Sequence, residues 1–356
     1  NRRDMSLIQN LNETYIIAEI GQNHNGDINI AKKLIDQLDR YPYDEITGGR
    51  FNKVNAIKLT KRDLTEELSK EGMDKPYTGP NSFGPTYGEH REFLELTYKE
   101  HAELGKYIKS RGFGFIETLC SVKCLKLLDM VDVDKIKVAS RDLTNIPLIK
   151  ALSQRKEPII LSTGMADEND LNRALNIFKS NNKTNVSILH CLSQYPAEYN
   201  NLNLNTIKYL QDKYPEYIIG YSDHSLGSHI PVAATAMGSK IIEKHVTLDN
   251  KMKGTDHLGS ANIETFIKMV HDIRALELSL GDFKIERNPS VILAKNKLER
   301  SLAFNKNLNK GKIIKEEDLH MISPGDGFKW EDKKLFIGKK LKVNIKHNTL
   351  LNEKHI

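Results

Sequence analysis

Two histidines stand where apolar runs turn abruptly into charge. His245 lies in IIEKHVTLDNKMKGTDH (241–257), where Ile241 and Ile242 give way to Glu243, Lys244 and His245. His224 closes the preceding apolar run, IIGYSDHS, in the same way. A buried parallel strand reads like this when its C-terminal end opens into an active site. Neighbouring strands that each deliver an imidazole at the same end can hold a divalent metal between them. Two imidazoles, completed by water and substrate oxygens, suit a borderline ion such as manganese and leave positions open for Lewis-acid chemistry. The ordinary alternative is a hydrogen-bonded core histidine, and His190, before Cys191, reads that way. His229 and His257 receive no role.

Other runs end in polar side chains that an active site would use. Glu19 sits inside the apolar run YIIAEI, and a buried carboxylate needs a partner. The NHNG that follows reads as a turn, because Gly26 invites one and Asn25 tolerates positive φ. Lys58 and Thr60, Thr118, Lys137 and Ser140, Ser162 and Thr163, and Ser222 occupy the corresponding places in later runs. Taken singly, each is an unremarkable rim residue. Taken together, two lysines and several hydroxyls aimed at one mouth make a phosphate or carboxylate site, since lysine is costly to bury without an anion. Cys191 and Cys120 also lie near run ends, but nothing marks either as an activated thiolate.

The elements that would position these residues follow one rhythm. Apolar runs at Tyr15–Ile20, Ala56–Leu59, Phe113–Leu119, Lys135–Ala139, Pro158–Leu161, Val186–Leu192, Tyr217–Tyr221 and Ile241–Val246 alternate with stretches of helical spacing. The helical stretches are Asn29–Leu38, Glu89–Lys109 as one long helix, Leu171–Phe178, Leu204–Leu210 and Glu264–Leu280. Eight such units over about 235 residues predict an α/β fold, a closed (β/α)8 barrel, in preference to an open doubly wound sheet. Lys61–Gly88 is a long charged, Gly- and Pro-rich connection that reads as a functional loop or lid. After Gly281 the texture changes. Residues 1–281 read as the barrel domain, 282–296 as a linker and 297–356 as a small β-rich domain with strand-like pieces at Leu302–Phe304, Lys312–Ile314, Leu341–Val343 and Leu350–Leu351.

Composition narrows the function classes. Hydrophobic content of 39% and charged content of 28% over 356 residues are ordinary for a globular enzyme. The 53 basic residues are scattered among 47 acidic ones, with no basic stripe for nucleic acid. Three cysteines without a zinc-type repeat fit a reducing compartment. No apolar run nears the ~20 residues that span a bilayer, and the N-terminal NRRDMSLIQNLNE lacks the apolar centre of a signal peptide. The expectation is a cytoplasmic protein without membrane or nucleic-acid partners.

The segments IIAEIGQNHNG, AIKL, KIKVAS, ILSTGM, SILHC, GYSDHS, EKHVTLD and KGTDH, in that order, resemble the sialic acid synthase family. The tail, from ERSLAF through KGKIIKEEDLHMISPGDGF to IGKKLKVNIKHNTLL, resembles that family's antifreeze-like (SAF, β-clip) domain. The resemblance implies a transferase that condenses phosphoenolpyruvate with an open-chain N-acylated amino sugar, giving a nine-carbon 3-deoxy-ulosonic acid of the sialic type. It implies a divalent metal, manganese above all with magnesium or cobalt as substitutes. It also implies a homodimer in which the SAF domain of one chain caps the barrel of the other. Position by position, His224 and His245 match the metal ligands. Lys58, Thr118, Lys137, Ser140, Ser162 and Ser222 match the phosphoenolpyruvate site. Glu19 matches the carboxylate near the reacting atoms, and Tyr195, Asp142 and Asp256 match positions that touch the sugar. Thr60, Ser193, Arg141 with Asp142, and Ser323 before Pro324-Gly325 depart from the family pattern. All of them fall at or near the sugar half of the site, so the resemblance supports the reaction type more than the identity of the acceptor. A Schiff-base aldolase using Lys137, a synthase acting on a phosphorylated sugar (with Lys61 and Arg62 as its anchors) or a non-N-acyl sugar, and a non-catalytic sugar- or ice-binding protein remain as alternatives.

Overall fold

The structure, a computed structural model, describes residues 13–40 and 54–356. The chain divides into two compact units, Asn1–Gly281 and Asp282–Ile356.

In the first unit parallel strands close on themselves. They are β1 (Tyr15–Gly21), β2 (Ala56–Lys61), β3 (Gly114–Leu119), β4 (Lys135–Val138), β5 (Ile159–Ser162), β6 (Val186–Cys191), β7 (Ile218–Asp223) and β8 (Ile241–Thr247). Each pairs with the next, and β1 also pairs with β8, which excludes the open sheet. A two-residue β9 (Ala261–Asn262) pairs parallel with the end of β8. The barrel interior is layered. Its floor is a cluster of Ile17, Ala56, Ile116, Ile160, Leu189 and Ile241. Burying each larger aliphatic side chain stabilises the fold by about 1.5–3 kcal/mol, and together they close the lower end to water. Two residues further along the strands the interior becomes polar. Glu19 lies in register with Lys58 on one side and with His245 on the other.

The outer helices form where apolar residues recur at helical spacing. Ile28–Asp39 buries Ala31, Leu34, Ile35 and Leu38, and the Asp27 side chain caps it by accepting from the Asn29 amide. Ile263–Ser279 closes the ring, and its buried Arg274 donates to the Thr14 carbonyl at 2.8 Å.

The expected long helix Glu89–Lys109 is two helices, Tyr87–Leu94 and Tyr98–Ser110. Each opens with a reciprocal capping box, Thr86 with Glu89 and Thr97 with Glu100. The second box stops the first helix by offering the backbone a better start at Thr97. Nor is the 61–88 connection a plain loop. It holds two short helices, Leu64–Glu67 and Lys70–Asp74, and an antiparallel bridge between Pro76 and Thr86. Among the described residues no helix is long and apolar enough to cross a membrane.

The second unit begins with more order than a linker. A 3-10 turn at Pro289–Val291 leads into a helix, Ile292–Leu298. Beyond it, β10 (Ser301–Phe304) pairs antiparallel with β11 (Leu319–Ile322) over a core that includes Leu302, Phe304, Ile314, Phe336 and Leu341. The pieces at Lys312–Ile314, Leu341–Val343 and Leu350–Leu351 are not ladders. Only single bridges, Ile313 with Lys340 and Ala303 with Leu350, touch two of them. Buried Asp318 ties this unit together by accepting from Lys306 at 2.8 Å, Lys312 at 3.3 Å and the Lys315 amide at 3.0 Å.

Candidate active site

The strand C-termini open into a cavity of about 250 Å³. Glu19, Lys58, Thr118, Lys137, Ser140 and Ser162 line one part of it. Ser222, Tyr195, His224, His245 and Asp256 line the rest, with Glu243 and Thr60 among them. Asp142, expected on the sugar side, does not line the cavity. Its carboxylate instead reaches Arg141 Nε at 3.4 Å and Asn145 Nδ2 at 3.5 Å.

The two lysines are buried, but they have their own anions. Lys58 Nζ is ion-paired to Glu19, donates to Thr118 Oγ1 at 2.8 Å and lies 3.6 Å from Glu243. Lys137 Nζ lies 3.2 Å from Glu243, which also accepts from Ser222 Oγ at 3.3 Å. Contrary to expectation, the buried lysines need no ligand anion, because Glu19 and Glu243 supply the countercharge. Sequence reasoning placed Glu243 only beside a histidine. The signal was there: Ile241, Glu243 and His245 alternate with outward-facing neighbours, so all three point inward. Asp223 and Lys244, one position out of phase, pair with each other on the outer face.

The two carboxylates differ. Burial raises the Glu19 pKa, and Lys58 does not fully offset it. For Glu243 burial acts in the same direction, but Lys137 and Lys58 outweigh it and hold the carboxyl down at about 2. Glu19 is therefore the one that more readily takes a proton.

The imidazoles of His224 and His245 lie with ring centroids 5.4 Å apart, and Tyr195 packs 4.1 Å from the first. His224 Nδ1 is 2.7 Å from the Leu192 carbonyl. A carbonyl only accepts, so Nδ1 carries a proton and only Nε2 could serve a metal. Burial lowers the His245 pKa to about 4, so its ring is neutral, and its Nδ1 is buried without a hydrogen-bond partner. Two imidazoles 5.4 Å apart, one of them with a buried nitrogen that makes no hydrogen bond, fit a shared cation. Among the described residues no group of three or more His, Cys, Asp or Glu side chains is placed to cage a metal. An ion here would complete its shell with water or substrate oxygens.

Two further histidines are held by structural hydrogen bonds. His190 Nε2 lies 2.7 Å from the Leu202 carbonyl, and His257 bridges Thr247 Oγ1 at 2.7 Å and Asn25 Oδ1 at 3.0 Å. The NHNG turn has Asn25 and Gly26 at positive φ. All three cysteines are buried and free.

Gly21 fixes the hinge between Glu19 and the rim. Register shifts there, and its φ is +54°. A Cβ at this position would come within 3.0 Å of Glu19 Oε1 and 3.1 Å of His245 Cε1. Gly21→Ala is expected to cost about 1–2 kcal/mol in backbone conformation and to displace both side chains. Turnover should fall by more than about tenfold, since small misplacements of reacting groups are costly. Thermal unfolding and the rate of the reaction proposed below read the two effects separately, and an unaltered rate would show that the site tolerates the crowding.

A closed parallel barrel with its polar residues gathered at the strand C-termini is the architecture of the (β/α)8 enzymes, which do their chemistry at that end. The chain belongs to the NeuB family, which matches residues 49–285, and a SAF domain matches residues 299–356. It is 32% identical to the N,N'-diacetyllegionaminic acid synthase of Campylobacter jejuni, over 96% of this chain and 100% of that protein. It is 31% identical to the human N-acetylneuraminate-9-phosphate synthase, over 95% of this chain and 91% of that one. Among solved structures, the N-acetylneuraminic acid synthetase of Leptospira borgpetersenii in complex with citrate superposes with a TM-score of 0.66 at 32% identity, covering 79% of this chain and 90% of that one.

Proposed function

We propose that this protein condenses phosphoenolpyruvate with the open-chain aldehyde of an amino sugar, releasing phosphate and forming a nine-carbon 3-deoxy-ulosonic acid. The observation that carries this reading is the meeting, in one cavity, of a buried two-lysine layer with a pair of imidazoles. The family relatives, named for sialic and legionaminic acid synthesis, support it.

Lys58 and Lys137 bind the carboxylate and phosphate of phosphoenolpyruvate, with Thr118, Ser140, Ser162 and Ser222 donating hydroxyls around them. Ser162 Oγ is buried and unbonded, so its proton is available to an anion, and Ser140 Oγ accepts from the Gly164 amide at 2.9 Å. Carbon 3 of the enol attacks the aldehyde carbon, and positive charge develops at carbon 2. Glu19 orients a water toward carbon 2 and takes its proton as the C–O bond forms. The adduct then loses phosphate with cleavage of the carbon–oxygen bond. A divalent cation held by His224 and His245, Mn2+ or else Mg2+ or Co2+, supplies Lewis acidity toward the aldehyde oxygen when bound. Tyr195 and Asp256 face the acceptor. No covalent enzyme intermediate is required, and most of the acceleration comes from positioning and fixed charge. Lys137 is ion-paired to Glu243, whereas a Schiff-base aldolase needs a free amine. The SAF-exchanged homodimer belongs to the same proposal.

A panel of neutral and anionic amino-sugar acceptors, each mixed with phosphoenolpyruvate and Mn2+ while phosphate release is followed, tests the reading. Release that needs both acceptor and cation is expected. Silence across the whole panel, or a borohydride-trapped adduct, would overturn it.

A further inference from the structure

The opposite end of the barrel, where the strands begin, holds a second cavity that the proposed reaction does not use. It measures about 450 Å³, and the connections into β5, β6 and β7 wall it. That end of a (β/α)8 barrel ordinarily serves stability rather than chemistry. Ser187 and Ile218, at the starts of β6 and β7, face the cavity. Ile218 packs against the aliphatic floor cluster, and Ser187 lies two residues before Leu189 of that cluster, on the same inward face. The floor therefore lies between this cavity and the candidate active site.

Several polar groups here lack the partners that burial demands. Ser187 is 2% exposed, and its hydroxyl makes no hydrogen bond among the described residues. Lys183 is buried as well, and its ammonium donates to the carbonyls of Arg155 at 2.7 Å and Glu157 at 2.8 Å. Lys58 and Lys137 each have a carboxylate, but among the described residues Lys183 has none within ion-pair distance. One of its three N–H groups is left over. The Glu157 carboxylate is already taken by Arg155, at 3.1 Å. Lys156 and Glu216 also line the cavity, and neither makes an ion pair among the described residues. Two uncompensated cations thus face one uncompensated carboxylate, a surplus of one positive charge.

The neutral groups are spare too. Asn182 and Thr184 line the cavity and make no side-chain hydrogen bond among the described residues, and Asn185 uses only its Nδ2, on the Lys156 carbonyl at 3.3 Å. Two helices, Ile146–Ser153 and Glu168–Ser180, end beside the cavity. Their carbonyl ends explain why cations gather there. They do not explain why amides and hydroxyls, which both donate and accept, stay unpaired around a cavity large enough for a small molecule.

We propose that this cavity binds a hydroxylated monocarboxylate, a sugar acid, with its carboxylate on Lys183, Lys156 and the Ser187 hydroxyl and its own hydroxyls on Asn182, Thr184 and Glu216. One surplus charge matches one carboxylate, whereas a doubly charged phosphate ester leaves a charge unmet. The product of the proposed reaction belongs to this chemical class, and so do sugar acids from other sources. The inference does not depend on that reaction.

Calorimetric titration of the full chain with N-acetylneuraminate, glucuronate and glucose tests it. At least one acid is expected to bind about tenfold or more tighter than neutral glucose. A preference for N-acetylneuraminate identifies the product as the occupant, and a preference for glucuronate identifies an outside sugar acid. Lys156→Glu, at an exposed position, should erase the advantage of the acid. Ser187→Ala, which removes a hydroxyl without a partner, should weaken it by about threefold or more. Lys137→Met/Glu243→Gln, in the other cavity, should leave it unchanged. Equal binding of all three sugars, an advantage that survives both Lys156→Glu and Ser187→Ala, or one that disappears with Lys137→Met/Glu243→Gln, would overturn the proposal. Absence of phosphate release with every acceptor would overturn only the reaction.

Discussion

The His245→Ala variant is expected to lose phosphate release by at least about a thousandfold, on the order of 4 kcal/mol of transition-state stabilisation. The fold should survive. The side chain is buried, but its Nδ1 has no hydrogen-bond partner, so truncation orphans nothing at that atom. It also leaves the Glu19–Lys58 pair intact. The second readout is independent of turnover. Mn2+ binding, followed through the paramagnetic signal of the free ion, should weaken by more than about tenfold if the cation sits on the two proposed imidazoles. His224→Ala should behave alike, with the added loss of the bond to the Leu192 carbonyl. A His245→Ala protein that still turns over in a metal-dependent way would remove the cation from these two imidazoles.

Lys137→Met should be as damaging to turnover and, unlike the first variant, to stability. It deletes the 3.2 Å partner of Glu243 and leaves that carboxylate to Lys58, 3.6 Å away, and to the Ser222 hydroxyl. Breaking a buried pair from one side costs roughly 3–5 kcal/mol, a drop of roughly 6–15 °C in Tm. The double variant Lys137→Met/Glu243→Gln restores much of the stability, since no unpaired charge remains, but not the affinity for phosphoenolpyruvate. That split distinguishes a binding lysine from a merely structural one. Were the double variant to recover phosphoenolpyruvate affinity along with Tm, Lys137 would be scaffolding.

What could be read from the residues, and what could not, follows the range of the forces involved. The strands were legible because a buried parallel strand is a continuous apolar run, and each expected run overlaps the strand found there. The inward set was legible because it falls at the end of each run, so the lysines, the histidine pair and every named hydroxyl but Thr163, which donates to the Leu189 carbonyl at 3.2 Å, reach one cavity. Asp142 did not, because Arg141 and Asn145 draw its carboxylate aside. The break at Glu95–Thr97 was written in the sequence as Thr97-Tyr98-Lys99-Glu100, a capping box hidden by apolar spacing that continues across it. The strand Leu319–Ile322 was obscured by its partly exposed, mixed texture. Arg62 and Arg141 could be picked out singly, but not the meeting of Arg62, Arg91 and Arg141 at Glu67. Only the closure of the barrel places them around that carboxylate.

The floor of the cavity carries two ammonium groups and two carboxylates, whose formal charges cancel. A polyanion arriving there meets no standing surplus of positive potential. Electroneutrality has to be imported, either as a proton captured by Glu19, whose burial already inclines it to accept one, or as a counter-ion that enters with the ligand. The pocket therefore selects neutral packages over bare ions, and phosphate alone should be a poor guest at alkaline pH.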